Sequence, residues 1–469
     1  METGGRGASL TGWLAISLAG LLALYAFLYR PFMSAEAPTP SARLLALPLA
    51  FSLYGLAAWM VARRGLRIRG QRSEAIVIAL GAVLLRAVIL AGTVPANPDL
   101  GRHLWEGLVL AEGHNPYSAP PGDERWDPLR QRLAAEEDDL YSGYWLKHEE
   151  VRSVYGPLAT ALFAVPHYMS LDRPVSLRLM MTLFDLGTVI VLLYLTARLG
   201  YCRALVLIYA WSPVCLNGFA DRGQIDAAMV FLVVAATALL ASKRPVLAGV
   251  AFAGALLVKI SPLLLALPML RVGRWRFALG CGAACTIVVL PFAGAGLEGL
   301  QGFLAFADRW RSSDSAFSAL RWLLHLTPAG DPDNLARAIV AVAAVGYAVW
   351  WAFRVDPERI ESLLHGLMAI SVAVVILSPV TYPWYSATAI AFLVFLPRVW
   401  LLALTALPML WYFRFVKAPS APWDWMVRAH GGGRQPWRLL AYGAVYAAGA
   451  IDEIRRRRRR RAQGRAGPD

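Results

Sequence analysis

Apolar runs of about 20 residues, the length at which a helix crosses a hydrocarbon core, recur along almost the whole chain. They lie near 10–29, 44–62, 74–95, 177–197, 203–220, 225–242, 277–294, 334–353, 360–378, 384–397, 399–415 and 437–453. So many runs in 469 residues leave little chain for a water-facing shell. Apolar residues make up 58% of the sequence and charged ones 16%, against roughly 25% charged in a typical soluble domain. Lipid is therefore the main solvent, and the 17 tryptophans suit aromatic belts at the two membrane surfaces. Collagen, coiled coil, disulfide scaffold and disordered chain are excluded by the same composition. The sequence predicts an all-α polytopic membrane protein with about twelve transmembrane helices.

The formal net charge of +15 invites a nucleic-acid reading, but seven of the positive charges are the run Arg455–Arg461 directly after the last apolar stretch. Arginines beside a membrane helix mark a cytoplasmic end and attract anionic lipid, so membrane lipid and no nucleic acid is the expected partner. The four cysteines, Cys202, Cys215, Cys281 and Cys285, all sit in apolar segments. Neither a disulfide framework nor a zinc site is implied. The first apolar stretch is too long for a signal-peptide core and has only Arg6 before it, so it reads as a retained helix.

Positive charge also sets the topology. The basic stretch 63–73 belongs in the cytoplasm, so 74–95 carries the chain outward and the loop 96–156 lies on the extracytoplasmic side. Its acidic residues, Asp123, Glu124, Asp127, Glu136, Glu137, Asp138, Asp139, Glu149 and Glu150, agree with that placement. Arg198 with Arg203, Lys243 with Arg244, and Arg274 with Arg276 read as cytoplasmic. A single crossing then separates Val151 from Arg198, although two apolar segments lie between them. The shorter, 157–169, is predicted to be a juxtamembrane or re-entrant helix. By the same parity 245–270, broken at Lys259 and Pro262, is a helical hairpin. Both termini fall in the cytoplasm with about twelve crossings, or fourteen if the hairpin counts, giving one transmembrane domain over 1–454 and a basic cytoplasmic tail over 455–469.

Polar residues that lipid should not tolerate mark the candidate site. If Pro98 starts a helix, Asp99, Arg102, His103 and Glu106 share one face by their 3/4/7 spacing. A carboxylate in the first turn at the membrane edge is placed to act as a general base, held ionised by the helix N-terminus and Arg102; the spacing alone favours a plain helix cap in a solvated loop. Gly113-His114-Asn115-Pro116-Tyr117 is a turn signal, and Val154-Tyr155-Gly156-Pro157 starts the short apolar helix. A second turn, GFADRGQID, brings Asp221, Arg222, Gln224 and Asp226 to the mouth of a helix, where Asp226 is a cap or a second functional carboxylate. Lys259 within apolar sequence asks for a partner or an anionic ligand, with snorkelling as the alternative. Arg86 and Asp185, inside predicted spans, neutralise one another or pair with neighbours. Finally, SPVTYPWY (378–385) breaks two apolar helices. Its Trp384 and Tyr385 make either a platform for a sugar ring or lipid chain, or an ordinary aromatic belt. Asp99, Tyr155-Gly156-Pro157, the Arg222–Asp226 turn and Pro383-Trp384-Tyr385 all fall on the outer face, as one site at a membrane–water boundary would.

The order PDLGRHLWEGLVLAEGHNPYSAPP, VYGPLATALFA, GQID, VKISPLLLALP and SPVTYPWY resembles the GT-C superfamily of integral-membrane glycosyltransferases. It is most similar to the bacterial polyprenyl-phosphate-mannose-dependent mannosyltransferases. The likeness covers about 74–390. It implies a GT-C-like bundle with juxtamembrane helices in its first outer loop. The implied activity is transfer of a hexose, mannose first among them, from a polyprenyl-phosphate sugar to a glycolipid or glycan acceptor. Asp99 matches the first-loop aspartate that orients or deprotonates the acceptor hydroxyl, and Asp226 the acidic position of the second outer loop. Lys259, with Arg222 as a second candidate, would neutralise the departing phosphate. Gly156 stands where many relatives carry a second proline, and no Asp-Asp or Asp-Glu pair adjoins Asp99. Neither metal nor cofactor is therefore expected.

The resemblance implies a plasma-membrane (inner-membrane) enzyme with its site on the extracytoplasmic face. A transporter or flippase of lipid-linked glycans is the competing reading; it predicts internal symmetry and ionisable residues at both mouths, whereas no internal repeat is evident here. A glycan ligase or polymerase shares the lipid-linked donor.

Overall fold

The structure is a computed structural model that describes residues 10–29, 40–63, 72–92, 98–135, 146, 148–312, 314–328, 330–410 and 436–465. Among these the regular structure is helical, apart from an isolated parallel bridge between Ser312 and Val380. Among the described residues seven helices are long and apolar enough to cross a membrane: Leu10–Phe27, Ala46–Arg63, Arg72–Leu90, Arg173–Arg198, Ser261–Arg309, Pro332–Arg354 and Ile360–Leu377. A multi-pass membrane protein results. Glu136–Asp139 of the acidic loop, most of the basic stretch 63–73 and the end of the run 399–415 lie outside the described residues.

The sequence count of about twelve crossings meets two departures. Two apolar helices, Asp226–Ala241 and the hairpin arm Pro245–Val258, are shorter than 18 residues, while Val399–Leu410 stops where the described residues stop. At 1.5 Å per residue even the 16-residue one reaches only about 24 Å. The run 384–397 forms a short turn, Pro383–Ser386, and a seven-residue helix, Ala387–Leu393, whose residues are all buried. An apolar run covered on every side by protein is core rather than lipid-facing surface.

The run 203–220 is bent. Arg203–Ala210 and Pro213–Asp221 meet at 41°, because Pro213 offers no N–H and drives Ser212 into an extended conformation (φ −60°, ψ 122°). Where the first half ends, the Ala210 carbonyl is taken by Arg86 at 2.8 Å. Arg86 also donates to the Ala82 carbonyl and pairs with Asp185 at 2.7 Å, both side chains being essentially unexposed. The two charges predicted inside spans thus pair with each other.

As the parity of positive charges requires, a single long helix, Arg173–Arg198, lies between Val151 and Arg198, while 157–169 is a short helix, Pro157–Ala164, and a 3-10 turn, Val165–Tyr168. The segment 245–270 reverses direction. Pro245–Val258 stops at Lys259, which is extended (φ −158°, ψ 137°); the chain then turns through Ser261–Leu265 and returns until Gly273 lies beside Leu240, near the end of the Asp226–Ala241 helix. Lys259 is therefore the tip of a hairpin. The last helix, Pro436–Arg465, runs unbroken from the apolar run into the arginine run.

Candidate active site

Proline's fixed φ and missing N–H fit the first turn of a helix, and the Pro98–Ala111 helix begins there. The next residue, Asp99, is thereby held at the positive end of the helix dipole. Gln224, in the turn between the bent pair and the next helix, donates its Nε2–H to Asp99 Oδ2 at 3.0 Å. Two residues later Asp226 opens the Asp226–Ala241 helix, and both of its oxygens accept from Lys259 Nζ, at 2.9 and 3.0 Å. The Asp226 side chain is 2% exposed and that of Lys259 15%, so each charge needs the other: an unpaired ion there would cost several kcal/mol. The ring of Tyr385 lies 3.7 Å from the same ammonium, as a cation–π partner.

Residues 151–156 form a strap that docks on the hairpin tip. The Gly156 N–H donates to the Val258 carbonyl at 3.3 Å, and a Cβ on Gly156 would stand 2.0 Å from the Leu257 carbonyl oxygen. A residue without a side chain is what lets the strap that carries Tyr155 close onto the hairpin tip. Gly218 does the same across the site, where a Cβ would come within 2.9 Å of the Trp384 side chain. The Tyr155 hydroxyl and His103 Nε2 are 2.9 Å apart, and the imidazole stacks on Phe163 at 4.3 Å. Burial, with Lys259 and Arg102 adding to it, pushes the His103 pKa down to about 3, so the ring is neutral. Burial pushes the Tyr155 phenol well up, and the carboxylates of Asp99, Glu106 and Asp226 add to it against Arg102.

Five sequence regions thus converge. Asp99 and His103 come from the first-loop helix, Tyr155 from the strap, Gln224 and Asp226 from the second turn, and Lys259 and Tyr385 from the two helix breaks. Other candidates build the wall. The nitrogens of Arg102 bond Glu106 Oε1 at 2.7 Å and the carbonyls of His148 and Val151, and Glu106 Oε2 accepts from Ser153 at 2.5 Å. Arg102 is thus spent on holding the strap, not only on the charge of Asp99. Asn115 accepts from the Tyr117 N–H and donates to the Phe292 carbonyl, while the Tyr117 hydroxyl donates to the Tyr155 carbonyl at 2.8 Å. Trp384 is buried and stacked on Tyr382 at 5.2 Å. Arg222 is half-buried in the Gln224 turn.

Sequence reasoning passed over Ser153, Phe163 and Tyr382. Ser153 carried a signal: in an extended strap alternate residues point the same way, which pairs it with Tyr155. Phe163 and Tyr382 look like ordinary apolar and aromatic positions, and only packing reveals what they touch. Among the described residues no group of three or more His, Cys, Asp or Glu side chains is arranged to hold a metal.

Residues 154–383, a little under half of the chain, match the family model of glycosyltransferase family 87. The matched stretch contains Tyr155, Gln224, Asp226 and Lys259; Asp99 and His103 precede it. No curated protein and no solved structure matches. On a multi-pass helical chain, the family match indicates a membrane glycosyltransferase, with a sugar donor and an acceptor as its substrates.

Proposed function

We propose that the chain is a hexosyltransferase that moves a hexose, mannose first among them, from a polyprenyl-phosphate sugar to a glycolipid or glycan acceptor at the extracytoplasmic face of the plasma (inner) membrane. The observation that carries the reading is the meeting of Asp99 with the Asp226–Lys259 pair through Gln224. A sugar leaving a lipid phosphate needs a base for the incoming hydroxyl and a cation for the outgoing phosphate. Asp99 serves as the base, Lys259 as the cation with Arg222 in support, and Asp226 holds Lys259 in place. Tyr155, His103, Gln224, Trp384 and Tyr385 shape the sugar and phosphate subsites; Arg102, Glu106, Asn115 and Tyr117 fix their wall. Residues 1–454 act as one transmembrane domain, and 455–469 form a cytoplasmic tail. The outward-facing site follows from the basic residues 63–73, Lys243, Arg244 and Arg455–Arg461, which belong to the cytoplasmic side.

Membranes carrying the full chain, incubated with a panel of radiolabelled polyprenyl-phosphate sugars, test this directly. Label from polyprenyl-phosphate mannose is expected in a glycolipid or glycan product. Label that crosses the membrane while still on its lipid makes the chain a flippase, and label in long oligomers makes it a polymerase. Replacement of Lys259 by Ala is expected to raise the donor KM, and an unchanged donor KM removes Lys259 from the phosphate.

A further inference from the structure

We propose that Tyr155 is a fixed hydrogen-bond donor to the departing phosphate, and that buried His103 is the positioning residue that aims its O–H; the idea rests on the transferase reading above. Two observations carry it. His103 is 0% exposed, and its Nδ1 has no hydrogen-bond partner among the described residues, while Nε2 faces the Tyr155 hydroxyl at 2.9 Å. A neutral imidazole has one N–H and one lone pair. With the proton on Nδ1, a buried N–H would go unsatisfied, at a cost of about 1–3 kcal/mol; with it on Nε2, only a lone pair is bare. The second arrangement makes His103 the donor to Tyr155. The phenol must then send its own O–H elsewhere; of the carboxylates whose charge reaches it, Asp99, Glu106 and Asp226, both Glu106 oxygens are already taken by Arg102 and Ser153, which leaves the side of Asp99 and the Asp226–Lys259 pair.

Charge explains why such a donor serves the phosphate. Asp99 and Asp226 bring two negative charges against Lys259, with Arg222 only in support, and the ammonium is already shared between both oxygens of Asp226. In the reaction the acceptor oxygen bonds to the anomeric carbon and its proton passes to Asp99. The bond from that carbon to the phosphate oxygen breaks, and its electron pair stays on the phosphate, which gains one negative charge. A neutral O–H held in advance strengthens as that charge grows and brings no carboxylate of its own. The Gly156 contact with the hairpin tip and the stack of His103 on Phe163 keep both rings from turning away.

The test measures kcat and donor KM with radiolabelled polyprenyl-phosphate mannose in membranes carrying the full chain. Tyr155→Phe is expected to lower kcat roughly a hundredfold with the donor KM nearly unchanged. His103→Leu should fall equally and His103→Gln, which keeps an N–H donor, much less; the double variant Tyr155→Phe with His103→Leu should be no slower than Tyr155→Phe alone. An unchanged kcat for Tyr155→Phe, a loss confined to KM, or additive losses in the double variant overturns the proposal. Should a variant be produced poorly, 3-fluorotyrosine at 155, a stronger donor of nearly the same shape, is expected to raise kcat, and an equal or lower kcat overturns the proposal. Absence of transfer by the unaltered chain overturns the transferase reading and this inference with it, whereas full wild-type transfer with an unaffected Tyr155→Phe overturns the inference alone.

Discussion

Gln224 donates to the carboxylate of Asp99 at 3.0 Å across 125 positions of sequence. That bond joins the first-loop helix to the turn that opens the Asp226 helix, and so couples the candidate base to the carboxylate that holds Lys259. Asp99→Asn keeps the shape and an oxygen for Gln224 but removes the basic site. Transfer is expected to fall by roughly 10²- to 10⁴-fold while the amount of protein in the membrane stays the same, as measured by product label against immunoblot. Full activity in the variant removes Asp99 from the chemistry.

Gly156 is expected to tolerate no side chain. In Gly156→Ala the new methyl would overlap the Leu257 carbonyl oxygen, forcing the strap off the hairpin tip at a cost of about 1–3 kcal/mol. A lowered melting temperature in detergent and a larger loss of transfer than of stability are expected, since Tyr155 moves with the strap. An unaltered melting curve shows that the contact is looser than it stands here.

The Arg86–Asp185 pair is expected to be expensive to break singly and cheaper to replace whole. Asp185→Leu strands a buried guanidinium and should cost about 3–5 kcal/mol, whereas the double change with Arg86→Met should recover much of that. A double-mutant cycle on detergent unfolding decides it; simple additivity denies the coupling.

The neutral His103 gives the fold a pH dependence of defined sign. Its pKa falls from 6.5 to about 3 on burial, so below pH 6.5 the unfolded chain takes up a proton that the folded chain refuses. Its contribution to stability is full above the unfolded value and is lost as the pH falls from 6.5 toward 3. Melting temperatures between these limits should drop less steeply in His103→Gln than in the unaltered chain; parallel curves refute the assignment. By the same token no step in the transfer rate near pH 6.5 should vanish with His103→Gln.

With a lysine as the cation of the site and no Asp-Asp or Asp-Glu pair beside Asp99, removal of divalent metal is expected to leave transfer unchanged. Extensive treatment of the membranes with EDTA, followed by assay with and without added Mg²⁺ or Mn²⁺, checks this. A loss restored by metal alone would place a cation among the site's charges.

Hydrophobic run length and the spacing of basic residues determined, from sequence alone, that this is a helical chain in a membrane and that the chain turns back at Lys259, and a proline at 98 offered a helix start with Asp99 in its first turn. These are local or one-dimensional properties: a span is a length of apolar residues, and a proline or a buried lysine interrupts it wherever it falls. Burial of whole segments was not legible. Ala387–Leu393 reads as a crossing because an apolar run looks the same whether lipid or protein surrounds it, and Arg203–Asp221 reads as one helix until Pro213 bends it. The site was legible as a set of suspicious residues but not as a set of partners. Tertiary structure decided that Lys259 pairs with Asp226, that Gln224 meets Asp99, that Arg102 and Glu106 hold the strap, and that His103 faces Tyr155. Each of these is a contact between distant segments, fixed by how the helices pack and by where a glycine lets two backbones touch, and spacing along the chain carries no record of it.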